Sequence, residues 1–262
     1  MLARLLEVAP GRWLLKGALA LDFRLQERAR TTMDIDIQRG DDPESAQRDL
    51  LAATTVELGD FFVFAVTDME RRDEGEDGAA VRFRMRCELA GRLFDEMIVD
   101  VGFSDRPAGS PEILDGLDLL DFADIPRVNV PAVPIAQHVA EKLHAYTKKY
   151  GRRGVTSSRV KDLVDLVLIA DSTTIPAAEL ASAIRAVFTS RATHEPPTKV
   201  PAPPVEWRTP FRAMARQVGI DPDLDVAFSV AAKFLDAVLQ DKVRGGIWNP
   251  AIRSWDSTDR PP

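Results

Sequence analysis

The residues Arg30-Thr31-Thr32-Met33-Asp34-Ile35-Asp36-Ile37-Gln38 alternate from Met33 onward between apolar and polar side chains, as a half-buried β-strand does. Side chains two residues apart in a strand point to the same face, so Asp34 and Asp36 are expected to project together, with Cα atoms roughly 7 Å apart. Neighbouring carboxylates repel each other unless a cation lies between them, and oxygen ligands of this kind suit Mg²⁺. The alternative is a solvated acidic face on an edge strand.

A third carboxylate, Asp100, interrupts the apolar stretch Glu96–Phe103, which we predict to be another strand. An unpaired buried carboxylate is costly, so Asp100 is expected to have a partner or to lie at a polar pocket. If this strand lies beside the first one, three carboxylates meet and two metal ions become possible. The alternative is an ion pair of Asp100 with Arg92 or Arg86, and the sequence does not choose between the two.

The chain mixes helical and strand patterns in its first half and is helical from about residue 134 onward. In the first half we predict a helix over residues 43–57, a hairpin loop over 71–78, and strands over 61–67, 80–89 and 92–103. Further helices are predicted from 135 until Gly151 stops the helix, from a cap at Ser157 or Ser158 to about 170, and over 176–190, 206–218 and 222–240. We therefore predict an α+β domain over residues 1–130 and a helical domain over residues 131–262.

One lysine and two aspartates stand out in the helical half. Lys142 flanks the apolar stripe of its helix, where its stem is covered while its ammonium reaches either a cleft or, as for most such lysines, the solvent. Asp162 and Asp165 lie three residues apart and hence on one helix face. Asp165 stands among apolar residues, which indicates either a functional role or a buried ion pair with a nearby Arg or Lys.

A basic cluster lies between these two helices, with Lys148, Lys149, Arg152, Arg153, Arg159 and Lys161 within fourteen positions. Such a cluster suits contacts with a phosphodiester backbone, and a solvated helix end and loop is the plain alternative.

The overall composition is that of a globular protein, with 34 Lys and Arg, 41 Asp and Glu, and a net charge of −7. The acidic balance argues against general coating of nucleic acid but allows a local basic patch. The single cysteine, Cys87, excludes an internal disulfide and suits a reducing compartment. No apolar run approaches the roughly 18 residues of a membrane span. We therefore expect a cytoplasmic protein without a membrane partner.

Four motifs, in order along residues 10–170, resemble the AbiEii/AbiGii-type nucleotidyltransferase toxins. Trp13–Leu21 is similar to the family's Leu-x-Gly-Gly-x-x-Leu, with Ala18 where the family usually has its second glycine. Arg30-x-Thr32-x-Asp34-Ile35-Asp36 is similar to Arg-x-Ser/Thr-x-Asp-Ile/Leu-Asp. Ala140–Leu143 and Arg159–Leu166 are similar to Ala-Glu-Lys-Leu and Arg-x-Lys/Arg-Asp-Leu-x-Asp-Leu.

This resemblance implies an α+β fold, in which a DNA polymerase β-like nucleotidyltransferase core with a mixed sheet is followed by a helical C-terminal region. Members of the family are toxins of bacterial toxin–antitoxin pairs, including abortive-infection systems. Some, the MenT-type enzymes, transfer nucleotides from an NTP to the 3′ end of tRNA. The resemblance therefore implies Mg²⁺ as the cofactor, an NTP as the substrate, an RNA acceptor such as tRNA, and a cognate antitoxin protein as a partner.

The resemblance also assigns roles to residues. Asp34 and Asp36 match the metal-binding pair, Lys142 matches the nucleotide-contacting lysine, and Asp165 matches a late acidic residue needed for activity. We expect these four residues to be catalytic. Lys142 and Asp165 are expected to be the contribution of the helical domain to the active-site cleft. With the chemistry of the residues added, the expected metal ligands are Asp34, Asp36 and Asp100, the expected nucleotide contacts are Lys16, Gly17, Arg30, Thr32 and Lys142, and the expected RNA contacts are Lys148, Lys149, Arg152 and Arg153.

Two other functions fit the same residues. One is a nucleotidyltransferase that modifies a small molecule such as an antibiotic, which needs an acidic acceptor pocket in place of a basic groove. The other is an NTP-binding regulatory protein without transfer activity.

Overall fold

A computed structural model describes residues 1–25, 32, 34–75, 78–104, 107, 109–116, 121–149 and 159–256. The chain divides into two compact units: Met1–Glu27 with Thr31–Val133, and Arg28–Arg30 with Pro134–Pro262.

The first unit is built on a seven-stranded mixed sheet. Its helices are α1 (Leu2–Val8), α2 (Gly17–Leu25) and α3 (Pro43–Thr54), and its strands are β1 (Leu14–Lys16), β2 (Asp34–Arg39), β3 (Phe62–Gly75), β4 (Gly78–Leu89), β5 (Arg92–Phe103), β6 (Glu112–Asp115) and β7 (Asn129–Ala132). The strand order is β3-β4-β5-β2-β1-β7-β6. Strand β2 runs antiparallel to β1 and parallel to β5, so it lies in the interior of the sheet, not at an edge.

The two faces of this sheet differ in polarity. One face forms the core, where Ile35 and Ile37 of β2 pack with residues of α1 and α3 such as Leu5 and Leu50. The predicted alternation of β2 is confirmed, because these two isoleucines are buried while Asp34 and Asp36 are half-buried on the opposite face.

The long β3–β4 hairpin departs from the prediction. Residues 71–75, predicted as loop, continue strand β3, which pairs with β4 as far as Gly75 and Gly78. The sequence did not indicate the strand, because the charged residues of this segment lack the apolar alternation by which a strand is recognised.

The second unit is helical, as predicted. Its elements are α4 (Ile135–Thr147), α5 (Val160–Ser172), α6 (Ala177–Arg191), α7 (Arg208–Val218), α8 (Leu224–Leu239) and a small hairpin of β8 (Ile247–Asn249) and β9 (Ser254–Asp256), which the sequence did not suggest. The proline-containing residues 195–204 form neither helix nor strand. Helix α5 begins after Arg159, and the predicted caps Ser157 and Ser158 lie outside the described residues. Among the described helices, none has the length and apolar character needed to cross a membrane.

Candidate active site

A row of four charged residues crosses the polar face of the sheet. In the registers of β1, β2, β5 and β4, Lys16 is opposite Asp36, Asp36 is opposite Asp100, and Asp100 is opposite Arg82. Residues paired across neighbouring strands project to the same face, so the four side chains form what we call the charged row. The prediction that Asp34, Asp36 and Asp100 share one face of a mixed sheet agrees with this register.

Asp36 lies against the start of helix α2. Gly17, the first residue of α2, has φ +66°, and a Cβ placed on it would come 2.0 Å from Oδ2 of Asp36. Only glycine allows both the left-handed backbone and this close approach. Ala18, the departure from the family pattern, is buried in the first turn of α2.

Thr32 fixes the beginning of strand β2. The backbone N–H of Asp34 donates a hydrogen bond to the Thr32 hydroxyl at 3.2 Å. Thr32 thus holds the backbone that carries the first carboxylate. Arg30, predicted to contact the nucleotide, lies outside the described residues.

Asp100 is held by an arginine from the adjacent strand. Nε of Arg82 donates to Oδ1 at 2.7 Å and Nη2 donates to Oδ2 at 2.6 Å. The ion-pair alternative for Asp100 thus agrees with the structure, but the partner is Arg82 and not Arg92 or Arg86. The hydrogen bonds that Arg82 donates to Asp100 raise the pKa of Arg82, with further contributions from the charges of Asp100 and Asp34.

Lys16 reaches across the sheet from β1. A Cβ placed on Gly102 of β5 would lie 3.1 Å from Nζ of Lys16, so the lysine side chain crosses β2 to reach the third strand. The absence of a side chain at Gly102 makes room for this ammonium group. Lys16 therefore brings a positive charge to the strand that carries Asp100.

These residues fit a divalent cation through two carboxylates. Over the part of the chain that the structure describes, no group of three Asp, Glu, His or Cys residues is arranged to hold a metal ion. Asp34 and Asp36 present hard oxygen ligands on one face, and Mg²⁺ is commonly held by one or two carboxylates together with waters and substrate phosphates. Coordination by Asp100 stays a prediction.

The second unit contains a buried lysine between two aspartates. Nζ of Lys142 lies 2.6 Å from Oδ2 of Asp165 and 3.4 Å from Oδ1 of Asp162. The lysine side chain is 12% exposed and the two aspartates are almost fully buried. The ion-pair alternative for Asp165 thus agrees with the structure, and Asp162 shares the pair because the two aspartates lie on one face of α5. Burial raises the pKa of Asp162, and the charge of Lys142 opposes that rise.

The predicted RNA-contacting cluster is only partly described. Lys148 is 4% exposed, which argues against it as an RNA contact, because a buried ammonium cannot reach a backbone phosphate from its present position. Lys149 is exposed, and Arg152 and Arg153 lie outside the described residues.

Arg82 and Gly102 are the site residues that sequence reasoning missed. Arg82, Arg84 and Arg86 alternate with buried residues along β4, so their common face was readable from the sequence. That pattern could not show which of the three arginines lies opposite Asp100, because this depends on the order and register of the strands.

The structural comparison with MenT4 agrees with the fold. MenT4, a nucleotidyltransferase toxin from Mycobacterium tuberculosis, aligns with a TM-score of 0.56 and 20% identity over 92% of this chain and 80% of MenT4. JHP933 from Helicobacter pylori aligns with a TM-score of 0.48 and 14% identity over 92% of this chain and 90% of its own. No match was found among curated protein sequences. The predicted fold class, an α+β nucleotidyltransferase core with a mixed sheet and a helical C-terminal region, is confirmed.

The family is shown by the sequence itself. A profile of the nucleotidyltransferase AbiEii toxins of type IV toxin–antitoxin systems matches residues 2–239, nearly the whole chain. The motifs that suggested the family, including the Asp34–Asp36 strand and the Lys142 helix, lie within that match. The chain therefore belongs to the AbiEii family of nucleotidyltransferase toxins.

Proposed function

We propose that this protein is a Mg²⁺-dependent toxin that transfers nucleotides from an NTP to the 3′ end of an RNA, with tRNA as the acceptor. The observation that carries the proposal is the placement of Asp34 and Asp36 on one polar sheet face, with Asp36 packed against the glycine that begins α2. In a member of a nucleotidyltransferase family, this arrangement suits a metal-bound triphosphate.

The reaction joins the 3′ oxygen of the acceptor to the α-phosphorus of the NTP. The bond from that phosphorus to the bridging oxygen of the β-phosphate breaks, pyrophosphate leaves with the electron pair, and the hydroxyl proton passes to solvent. Mg²⁺, when bound by Asp34 and Asp36, supplies positive charge to the phosphates and lowers the pKa of the attacking hydroxyl.

The protein's own cations complete the neutralisation of the triphosphate. Lys16 brings its ammonium onto the face that carries the carboxylates, and an ammonium is a compact point charge for a phosphate oxygen. We assign Lys142 to nucleotide contact from the family motif, with Asp165 and Asp162 fixing the position of its ammonium.

The acceptor and the protein partner follow from the family and from the surface charge. Lys149, with the arginines of the same cluster, is the proposed contact for the acceptor backbone. Membership of a toxin–antitoxin family implies an antitoxin as a partner.

The test is transfer of label by the purified full chain. The protein is incubated with each of the four α-labelled NTPs, Mg²⁺ and total RNA, and the label is located by gel and by nuclease digestion. We expect label at the 3′ end of tRNA, no transfer by Asp34→Asn or Asp36→Asn, and growth arrest that these variants relieve. Asp68→Asn is the matched control, since Asp68 lies on β3 of the same sheet and is well exposed.

Three results would contradict the proposal. Label in a small molecule and not in RNA would favour an antibiotic-modifying enzyme, and NTP binding without any transfer would favour a regulatory protein. Growth arrest that persists undiminished in Asp34→Asn would show that nucleotidyl transfer does not cause the toxicity.

A further inference from the structure

The charged row contains two carboxylates side by side and a cation at each end. Asp36 and Asp100 are directly opposite each other on parallel strands, whose backbones are about 4.8 Å apart. Two like charges so close repel unless positive charge is supplied. A second metal ion can supply this positive charge, and so can an arginine.

Arg82 supplies positive charge next to Asp100. Its guanidinium uses two N–H groups on the two oxygens of Asp100, the bidentate geometry in which arginine and carboxylate bind most strongly. These two hydrogen bonds take up the lone pairs of Asp100 that face Arg82 and fix the orientation of its carboxylate, which makes Asp100 less available as a ligand for a metal ion. Both side chains are about a quarter exposed, so the pair lies at the accessible polar face and not inside the core.

Arg82 also acts beyond its direct partner. The hydrogen bonds with Asp100 are the main cause of the raised pKa of Arg82, and the negative charge of Asp34 adds to it. The neighbouring arginine of the same strand differs, since Arg84 lies opposite Ile98 and has its ion pair with Asp68 of β3.

We propose that Arg82 is a positioning residue that holds Asp100 away from the metal, so that the site takes a single divalent cation through Asp34 and Asp36. The guanidinium provides the second positive charge that a second metal ion provides in sites with three metal-binding carboxylates. This inference rests on the proposed function, because it assumes the metal site at Asp34 and Asp36.

The experiment counts the metal ions bound by the full chain in the absence of NTP. Mn²⁺ serves as the probe, and electron paramagnetic resonance measures the free ion during titration. We expect one Mn²⁺ per chain for the wild type, two for Arg82→Ala, and one again for Arg82→Ala combined with Asp100→Asn. Arg82→Lys keeps the charge and is expected to bind one.

Arg84→Ala is the matched control, since it removes an arginine from the same strand and the same face and is expected to leave the count at one. Circular dichroism and thermal unfolding confirm that each variant is folded, and Arg82→Gln replaces Arg82→Ala if the latter is not. The inference is overturned if the wild type binds two ions, or if folded Arg82→Ala or Arg82→Gln still binds one. A wild type that binds none overturns the metal site as well, and so separates failure of the proposed function from failure of the role of Arg82 alone.

Discussion

Replacing Gly17 with alanine tests whether the contact between α2 and Asp36 matters for catalysis. An added Cβ would lie 2.0 Å from Oδ2 of Asp36 and 2.7 Å from both Cβ and Cγ of the same side chain. Ordinary van der Waals contact begins at 3.4 Å, so the carboxylate oxygen has to move by roughly 1.4 Å. Because Cβ of Asp36 also clashes, a change of rotamer does not suffice, and strand β2 or the start of α2 has to shift.

The expected loss of activity in Gly17→Ala follows from how accurately the ligands of Mg²⁺ have to be placed. Magnesium–oxygen distances are about 2.0–2.1 Å and the geometry is strict, so a displacement of this size removes Asp36 as a ligand. A misplacement of about 1 Å in an active site costs on the order of 100-fold in rate, which corresponds to about 2.7 kcal/mol of transition-state stabilisation. We therefore expect kcat/KM of Gly17→Ala to fall roughly 100-fold.

Gly59→Ala separates this effect from backbone strain. Gly59 has φ +71°, close to the +66° of Gly17, but a Cβ placed on it meets no atom within 4 Å. Both variants carry the cost of a left-handed alanine, about 1–2 kcal/mol of stability. Only Gly17→Ala displaces a carboxylate, so only this variant is expected to lose activity and Mn²⁺ affinity.

The assay compares the rate of NTP transfer with the free energy of unfolding in urea for both variants. Equal rates for the two folded variants would refute the reasoning, because they would show that the position of Asp36 is not critical. A rate loss in Gly17→Ala with unchanged Mn²⁺ affinity would contradict the metal role of Asp36.

Three further outcomes are expected. Lys142→Met leaves two buried aspartates without their lysine, so it should lower the free energy of unfolding by about 3–5 kcal/mol. The control Lys161→Met changes an exposed lysine and should lower that free energy by less than about 0.5 kcal/mol. Equal losses for the two variants in urea denaturation would contradict the buried ion pair. Because the raised pKa of Asp162 lets the folded state bind protons more tightly than the unfolded state, stability should fall as the pH rises from about 4 through that pKa. Asp162→Asn should therefore gain stability relative to the wild type as the pH rises, and a constant difference between the two proteins would be inconsistent with this. Lys149→Ala should weaken RNA binding across all sequences and reduce the slope of log K against log salt by about one, whereas an unchanged slope would show that Lys149 does not contact a phosphate.

Local patterns were sufficient for much of the fold and for the centre of the site. The alternation around Asp34 and Asp36 predicted strand β2 and the common face of its carboxylates, because the direction of a side chain in a strand depends only on its position along that strand. The spacing of apolar residues likewise predicted the helices of the second unit. The motifs in their order were sufficient to suggest the family.

Local sequence patterns could not predict which charged groups pair with each other. Asp100 pairs with Arg82 because β4 follows β5 in the sheet in one particular register, and a shift of two residues would have placed Arg84 or Ala80 opposite it. Lys148 is adjacent to the exposed Lys149 in the sequence, yet it is buried. Burial lowers the pKa of His194, and the charge of Lys148 lowers it further. These pairings join residues distant in sequence, and they are fixed by strand order and helix packing, which no local periodicity encodes.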